Sequence, residues 1–433
     1  MNRLIVAAAA LLLAASGTPA SSPAGQAGER ERAEHVLNRL AFGPRPGDVE
    51  RVLELGVDRW VEQQLHPERI SDRAFGSIRD PEIPKRRGER SDEEKRASRR
   101  EARRSIEELT AQRILRAAES ERQLNEVMVD FWMNHFNVFA GKGLDLFLVA
   151  SYERDTIRPH VWGRFEDLLM ATAKSPAMLF YLDNARSRRG AINENYAREL
   201  MELHTLGVDG GYTQKDVTEL ARVLTGWSID RRDARFTFRR FLHDSEPKAV
   251  LGQRFRAGGG IEEGEAMIRY LARHPSTAKF LATKLCQRLV ADAPPPALVD
   301  RVAKRFLATN GDLRATVQAV IESPEFRDPR NFRTKVKSPF EYTISVVRAS
   351  GAVIDNPLPL ARELRKIGEP LYFAQPPTGY SDKSETWSSD GALVARLNFV
   401  TALASNRMPG VRVSVSDSDA LARRLGGREF QRQ

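Results

Sequence analysis

The chain has 433 residues, of which 41% are hydrophobic, and a formal net charge of +10 at pH 7. A chain of this length can bury a large apolar core, and its single cysteine excludes an intramolecular disulfide. Half of the charge excess lies between Lys85 and Arg104, where 10 Lys/Arg and 5 Asp/Glu occur without the aromatic side chains that stack on bases. This distribution predicts a solvated helix face and argues against nucleic acid as a partner.

The first twenty residues are typical of a secretory signal peptide. Arg3 supplies a positive charge, residues 4–15 form an apolar run, and small residues before Ala20 suit cleavage after it. The run of about 12 residues is shorter than the roughly 20 that span a bilayer as a helix; a retained membrane anchor is the alternative. We therefore expect a periplasmic or secreted chain whose mature form has no transmembrane segment. Its basic surface would then meet an anionic envelope polymer or another exported protein.

Apolar residues at helical spacing follow the linker at 21–30 and continue through residues 31–405, interrupted by proline and glycine. A charged excursion at about 77–105 leads into a long helix whose apolar side joins the core. Alternating aromatic and polar residues predict one small β-hairpin near residues 235–256, and residues 406–433 form a polar C-terminal tail. The predicted fold class is therefore all-α, as a mostly helical single large domain with one small β-hairpin.

The stretch from Asn193 to Trp227, NENYARELMELHTLGVDGGYTQKDVTELARVLTGW, is predicted to form a helix, a glycine-rich turn and a second helix. Thr213 and Asp216 resemble the capping box that begins the second helix. On a helix with about 100° per residue, His204 falls on the apolar side of the first helix. The opposite side is one polar stripe that contains Asn195, Arg198, Glu199, Glu202 and Thr205.

The polar stripe supplies the candidate catalytic residues. Glu199 and Glu202 could divide the roles of general acid and of base or nucleophile between them. Arg198 would then be their electrostatic partner and Asn195 a hydrogen-bonding group. The same pattern also describes an ordinary surface helix in which Arg198 and Glu202 form an i,i+4 ion pair. Both interpretations stay open on the sequence.

Metal ligation is not predicted from this helix alone. Helical ligand sets such as Glu-x-x-His and His-x-x-x-His place their ligands on one face, whereas Glu202 precedes His204 by two residues. A divalent metal would therefore need ligands from other segments as well. The weak metal candidates are His135, His204, His243 and Asp244.

Several further segments have distinctive sequences: HVLNRLAFGPRPGDVERV from His35, FWMNHFNVF from Phe131, HPSTAKFLATKLCQRLVAD from His274, KSPFEYTISVVRA and PPTGY. Together with the central stretch, they resemble a large family of exported bacterial proteins known as domain of unknown function 1800, over about residues 31–405. The resemblance implies a soluble, helical, exported protein, and it implies no established activity, substrate or cofactor. In the loop PPTGYSDKSETW, Tyr380 stands where the family pattern has Trp.

Three functional hypotheses follow from these features. The first is an exported enzyme that hydrolyses an envelope or extracellular polymer, with Glu199 and Glu202 as its carboxylate pair. The second is a non-enzymatic envelope protein that binds a partner or acts as a scaffold, so that the polar helix face is a structural network. The third is an exported metalloprotein without hydrolytic activity, which rests on scattered histidines. A signal peptide, a helical fold and a basic composition fit all three.

Overall fold

The structure, a computed structural model, describes residues 23–76, 80–82, 91–230 and 233–433. The predicted signal peptide at 1–20 lies outside these residues, as does part of the charged excursion predicted at about 77–105. Within the described ranges the chain is mostly helical with small antiparallel sheets, which confirms the predicted fold class. A search of these residues finds no helix that combines the length and the apolar character needed to cross a membrane.

The helices follow one another along the chain, with connections of very different lengths. Up to the central stretch they are α1 (Pro23–Arg39), α2 (Asp48–Leu55), α3 (Val57–Leu65), α4 (Asp92–Glu119), α5 (Gln123–His135), α6 (Asp145–Ser151), α7 (Phe165–Ala173), α8 (Pro176–Tyr181), α9 (Asn195–Glu199) and α10 (Gln214–Val223). Beyond it they are α11 (Ile261–Ala272), α12 (Pro275–Leu289), α13 (Pro296–Ala308), α14 (Leu313–Ile321), α15 (Pro324–Arg327), α16 (Pro339–Ser350), α17 (Leu358–Ile367), α18 (Asp390–Ala404) and α19 (Ser418–Gly426).

The β structure consists of short antiparallel pairs in the described residues. The predicted region at 235–256 forms two hairpins rather than one: β1 (Trp227–Asp230) pairs with β2 (Arg235–Phe238), and β3 (Lys248–Val250) pairs with β4 (Gln253–Phe255). The second hairpin closes on itself because Leu251 and Gly252 both have positive φ angles, 48° and 80°, as a tight two-residue hairpin turn requires. A third pair joins β5 (Val353–Ile354) to β6 (Val411–Arg412).

One cluster of buried apolar side chains runs through the molecule, from Ala33 in α1 to Leu425 in α19. The segment predicted as a polar tail, 406–433, contains β6 and α19, and α19 packs against α18. The chain end then pairs with the strand-like segment before α16, since Lys335 and Gln433 exchange backbone hydrogen bonds of 3.2 and 2.8 Å. This pairing fixes the start of α16 beside the site described next.

Side-chain caps explain where several helices begin. Thr213 accepts from the backbone N–H of Asp216 while the Asp216 carboxylate accepts from the Thr213 backbone, which confirms the predicted capping box of α10. Ser338 and Glu341 form the same reciprocal pair at the start of α16. Each pair satisfies backbone N–H groups that have no partner within the helix.

Candidate functional site

The first helix of the central stretch changes its winding part-way. After α9, the residues Leu200–Thr205 form a π-helical turn, in which the N–H of Leu206 donates to the carbonyl of Met201 at 2.7 Å. A π-helical turn has more residues than the 3.6 of an α-helix, so an α-helical projection fails beyond Leu200. Thr205, expected on the polar stripe, is instead fully buried, and its hydroxyl donates to the Leu200 carbonyl at 2.6 Å.

The polar face of α9 is tied to α10 by hydrogen bonds. Arg198 donates to Glu194 at 3.2 Å and to Gln214 at 2.9 Å, so its partner is Glu194 rather than Glu202. Gln214 and Thr218 of α10 each donate to the same Glu194 carboxylate at 2.7 Å. Arg198 therefore has a structural role, because this network connects the two helices of the central stretch.

The two predicted catalytic carboxylates lie beside this network. Burial and the neighbouring charge of Glu202 raise the pKa of Glu199, and the charge of Arg198 opposes the rise. The side-chain amide of Asn195 donates to the Leu182 carbonyl at 3.4 Å. Glu199 and Glu202 therefore influence each other electrostatically, as expected for a carboxylate pair.

The histidine candidates fall into two separate clusters. His135 and His204 are buried among aromatic rings, with the His135 Nε2 3.1 Å from the His204 carbonyl oxygen. Burial, followed by the charge of Lys284, lowers the pKa of His204 to about 3, and burial lowers that of His135 well below its ordinary value. Both imidazoles are therefore neutral at pH 7, and His135 Nδ1 and His204 Nε2 have no hydrogen-bond partner.

His243 and Asp244 belong to the second cluster, beside the two hairpins. His243 lies 3.3 Å from a Glu263 carboxylate oxygen that also accepts from Lys248 at 2.8 Å. Asp244 accepts from Arg222 at 2.8 and 3.2 Å. Over the part of the chain that the structure describes, no group of three or more His, Cys, Asp or Glu residues is placed to hold a metal ion.

A different site forms where the FWMNHFNVF segment meets the PPTGY loop. Asn134 donates to the Tyr380 carbonyl at 2.8 Å and accepts from the Tyr380 N–H at 2.7 Å. Asn137 donates to the carbonyls of Ala374 and Pro376 at 2.9 and 2.8 Å. Between these two segments lies a cavity, here called the charged pocket, whose acidic and basic lining residues are Arg113, Asp130, Arg288, Glu369 and Asp382.

Buried ion pairs from several elements surround the charged pocket. Arg113 of α4 contacts Asp130 of α5 at 2.7 Å and Glu153 at 3.1 Å. Arg288 of α12 reaches Asp130 at 3.0 Å, and it lies 3.0 Å from Glu341 and 3.6 Å from Asp382. Six segments of the chain thus contribute charges to one place. These side chains are at most 12% exposed, so their charges interact through a medium of low dielectric constant.

Burial and the neighbouring charges shift the pKa values of these carboxyl groups in opposite directions. Burial, followed by the charge of Asp130, raises the pKa of Glu369 to about 8, although its carboxyl accepts from the Phe340 N–H at 2.7 Å. Burial also raises the pKa of Asp382 against the charge of Arg288. In Glu153, the charges of Arg158 and Arg113 overcome burial and lower the pKa to about 2. Glu369 is therefore a neutral proton donor at pH 7, whereas the Glu153 carboxyl is ionised.

The charged pocket is narrow. Its volume is about 40 Å³, whereas one water molecule needs roughly 10–15 Å³. It therefore admits a few water molecules, and its lining includes the exposed Ser381, where a larger substrate would have access. A buried carboxylic acid and a carboxylate around a water-sized space are the parts that acid–base catalysis uses.

The family model described as "Protein of unknown function (DUF1800)" matches residues 35–433. The chain belongs to the DUF1800 family. Searches of curated proteins and of solved structures found no match.

The charged pocket of this DUF1800 chain was not predicted from the sequence. Its charges lie singly in different elements, so no local spacing marks them, whereas Glu199 and Glu202 are neighbours on one helix. The available signal was indirect. Four of the distinctive segments contribute residues to the pocket or to its ion pairs: FWMNHFNVF, KLCQRLVAD, KSPFE and PPTGY.

Proposed function

We propose that this DUF1800 chain is an exported hydrolase that works by general acid–base catalysis in the charged pocket. The observation that carries the proposal is Glu369, a buried carboxyl whose pKa of about 8 keeps it protonated beside a solvent-connected, water-sized cavity. Perturbed carboxyl groups in a cavity are typical of catalytic sites. The predicted signal peptide at 1–20 supports export, and an envelope or extracellular polymer is the proposed substrate class.

Asp382 is the proposed base because it lines the pocket and has a raised pKa. Its carboxylate would take a proton from a water molecule as the water oxygen bonds to the electrophilic centre of the substrate. Glu369 would give its proton to the departing oxygen. Arg113 and Arg288 would stabilise the negative charge that develops in the transition state. The step needs no oxidant or reductant, because the Asp382 carboxylate takes up one proton and the Glu369 carboxylic acid releases one.

The carboxylates on α9 are the alternative catalytic pair. The raised pKa of Glu199 beside Glu202 supports that role. However, Arg198 is engaged by Glu194 and Gln214, and the carboxylates do not line the charged pocket. We therefore place the chemistry at Glu369 and Asp382, and keep Glu199 and Glu202 as the matched comparison.

A second candidate function is that of a non-enzymatic envelope binding or scaffold protein. The observation that favours it is the hydrogen-bond network that joins Glu194 and Arg198 to α10, because such a network fixes the packing of the two helices without any chemistry. In that case the buried ion pairs around Arg288 would have the same structural role.

A substrate panel separates these functions. The purified mature protein is assayed on chromogenic esters, phosphate esters, glycosides and peptides, and on envelope polymers. For the class that is hydrolysed, Glu369→Gln and Asp382→Asn should each lower kcat by about 100-fold or more, with circular dichroism unchanged. Glu199→Gln and Glu202→Gln should change kcat by less than about threefold. Hydrolysis of nothing on the panel, or a loss confined to the second pair, would contradict the proposal.

A further inference from the structure

A second and larger concavity, here called the arginine groove, lies between α4 and α17. Arg99 and Arg103 of α4 line one wall, and Arg362 and Arg365 of α17 line the other. Residues four or three apart lie on one side of an α-helix, so each wall presents a pair of guanidinium groups to the same space. The groove has a volume of about 800 Å³, within the roughly 300–1,000 Å³ of small-molecule binding sites.

Apolar side chains line the arginine groove beside these cations. Its lining includes Ile106, Leu146, Leu358 and Phe373. The groove shares Leu371 with the charged pocket, so the two concavities adjoin at the segment from Glu369 to Phe373. A lining that combines apolar side chains with cations favours a ligand that has both apolar and anionic parts.

The four arginines of the groove have no acidic partner among the residues that the structure describes. In the described part of the chain, none of them forms an ion pair or a side-chain hydrogen bond with a carboxylate, although Glu107 also lines the groove. Arg365 instead lies over the ring of Phe373, 5.8 Å from its centroid. By contrast, Arg113 and Arg288 of the charged pocket each contact two or more carboxylates. The groove therefore holds an excess of positive charge that an anionic ligand would neutralise.

We infer that the arginine groove binds an anionic amphiphile, with a phosphate group between the two arginine pairs and an apolar body against Phe373 and its neighbours. The planar guanidinium fork matches phosphate oxygens in a bidentate arrangement. The ligand would release the repulsion among four like charges, and its apolar part would cover the groove interior. This inference is independent of the chemistry proposed for the charged pocket, because binding is measured without turnover.

Isothermal titration calorimetry of the purified mature protein tests the inference with dodecyl phosphate below its critical micelle concentration. We expect binding that Arg362→Gln with Arg365→Gln weakens by at least about tenfold. The control pair, Arg254→Gln with Arg256→Gln, removes the same charge from exposed positions outside the groove and should change the affinity by less than twofold. Thermal melting checks that both double variants stay folded.

Two further probes separate the parts of the ligand. Inorganic phosphate lacks the apolar body, and dodecyl maltoside lacks the charge, so both should bind at least about tenfold more weakly than dodecyl phosphate. Equal affinity for inorganic phosphate or for dodecyl maltoside would overturn the inference of an amphiphilic anion. Absence of dodecyl phosphate binding, or equal weakening by the control pair, would overturn the assignment of the groove.

Discussion

The charged pocket and the polar face of α9 use the same side-chain types in different surroundings. Arg288 of the pocket is 9% exposed and lies within 4 Å of three carboxylates. Arg198 of the face is 39% exposed and is paired locally with Glu194. A carboxyl in the pocket, Glu369, has a pKa of about 8. The comparison shows that strongly shifted pKa values come from burial and from charged side chains that converge from distant segments. The presence of two adjacent acids on a helix is not sufficient.

The largest predicted difference between the charged pocket and the polar face of α9 is in the stability lost when an arginine is replaced. Arg288→Met would leave Asp130, Glu341 and Asp382 without their shared cation in a buried place, and breaking a buried ion pair costs about 3–5 kcal/mol. Arg198→Met removes an exposed pair and should cost less than about 1 kcal/mol. Urea unfolding of both variants measures the free energies of unfolding. Similar losses for both would mean that the two regions do not differ as described.

The second difference is in the pH dependence of stability. Glu369 has a pKa of about 8 when folded and an ordinary value of 4.5, so between pH 5 and pH 8 the folded chain holds a proton that the unfolded chain loses. Stability from this group is complete below pH 4.5 and is lost as pH rises toward 8. Glu369→Gln should therefore lose less stability than the wild type between pH 5 and pH 8, by a few kcal/mol.

Urea unfolding at the two pH values measures this effect. Glu199→Gln is the matched control, because Glu199 is less buried and its contribution is screened by solvent. If Glu369→Gln and the wild type lose equal stability over this range, the carboxyl is already ionised in the folded chain, and the proposed general acid is excluded.

A third comparison uses two glycines with positive φ angles. Gly379, at φ +68°, lies so close to Asn134 that an added Cβ would be 2.5 Å from its backbone oxygen, whereas Gly190, at φ +76° before α9, has open space. Alanine at either position incurs backbone strain of about 1–2 kcal/mol. Gly379→Ala should cost about 1 kcal/mol more and displace the PPTGY loop, as measured by urea unfolding and by the resonances of Asn134. Equal losses of stability in the two variants would show that the PPTGY loop accommodates the added Cβ without further strain.

The smallest effect concerns the carboxylates of α9. Glu202→Gln removes the second largest cause of the raised pKa of Glu199, after burial, so that pKa should fall toward its ordinary value. Stability should change by less than about 0.5 kcal/mol, as for most surface substitutions. A carbon-13 NMR titration of the glutamate side chains measures the pKa. An unchanged Glu199 pKa would mean that the two carboxylates do not interact.

The predictable parts of the molecule are those with local causes. Apolar spacing predicted the helical fold, the Thr213–Asp216 pair predicted the start of α10, and the position of His204 predicted its burial. Thr205 was placed wrongly because a π-helical turn replaces α-helical winding after Leu200. The hairpin pairing differed because a turn at 251–252 closes β3 on β4.

The charged pocket could not be predicted for a different reason. Arg113 and Arg288 are 175 positions apart along the chain, and only the tertiary fold brings both to Asp130. The elevated pKa of Glu369 depends on burial and on Asp130, neither of which has a local sequence pattern. The resemblance to the DUF1800 family located the segments but assigned them no chemistry.

The most direct test of the account is kcat for a hydrolysed substrate in two matched variants, Glu369→Gln and Glu199→Gln. Both replace a glutamate carboxyl by an isosteric amide, one in the charged pocket and one on the face of α9. We predict a loss of about 100-fold or more for Glu369→Gln and less than about threefold for Glu199→Gln. The reverse pattern would contradict the claim that catalysis takes place in the charged pocket, and it would place the active site on the polar face of α9.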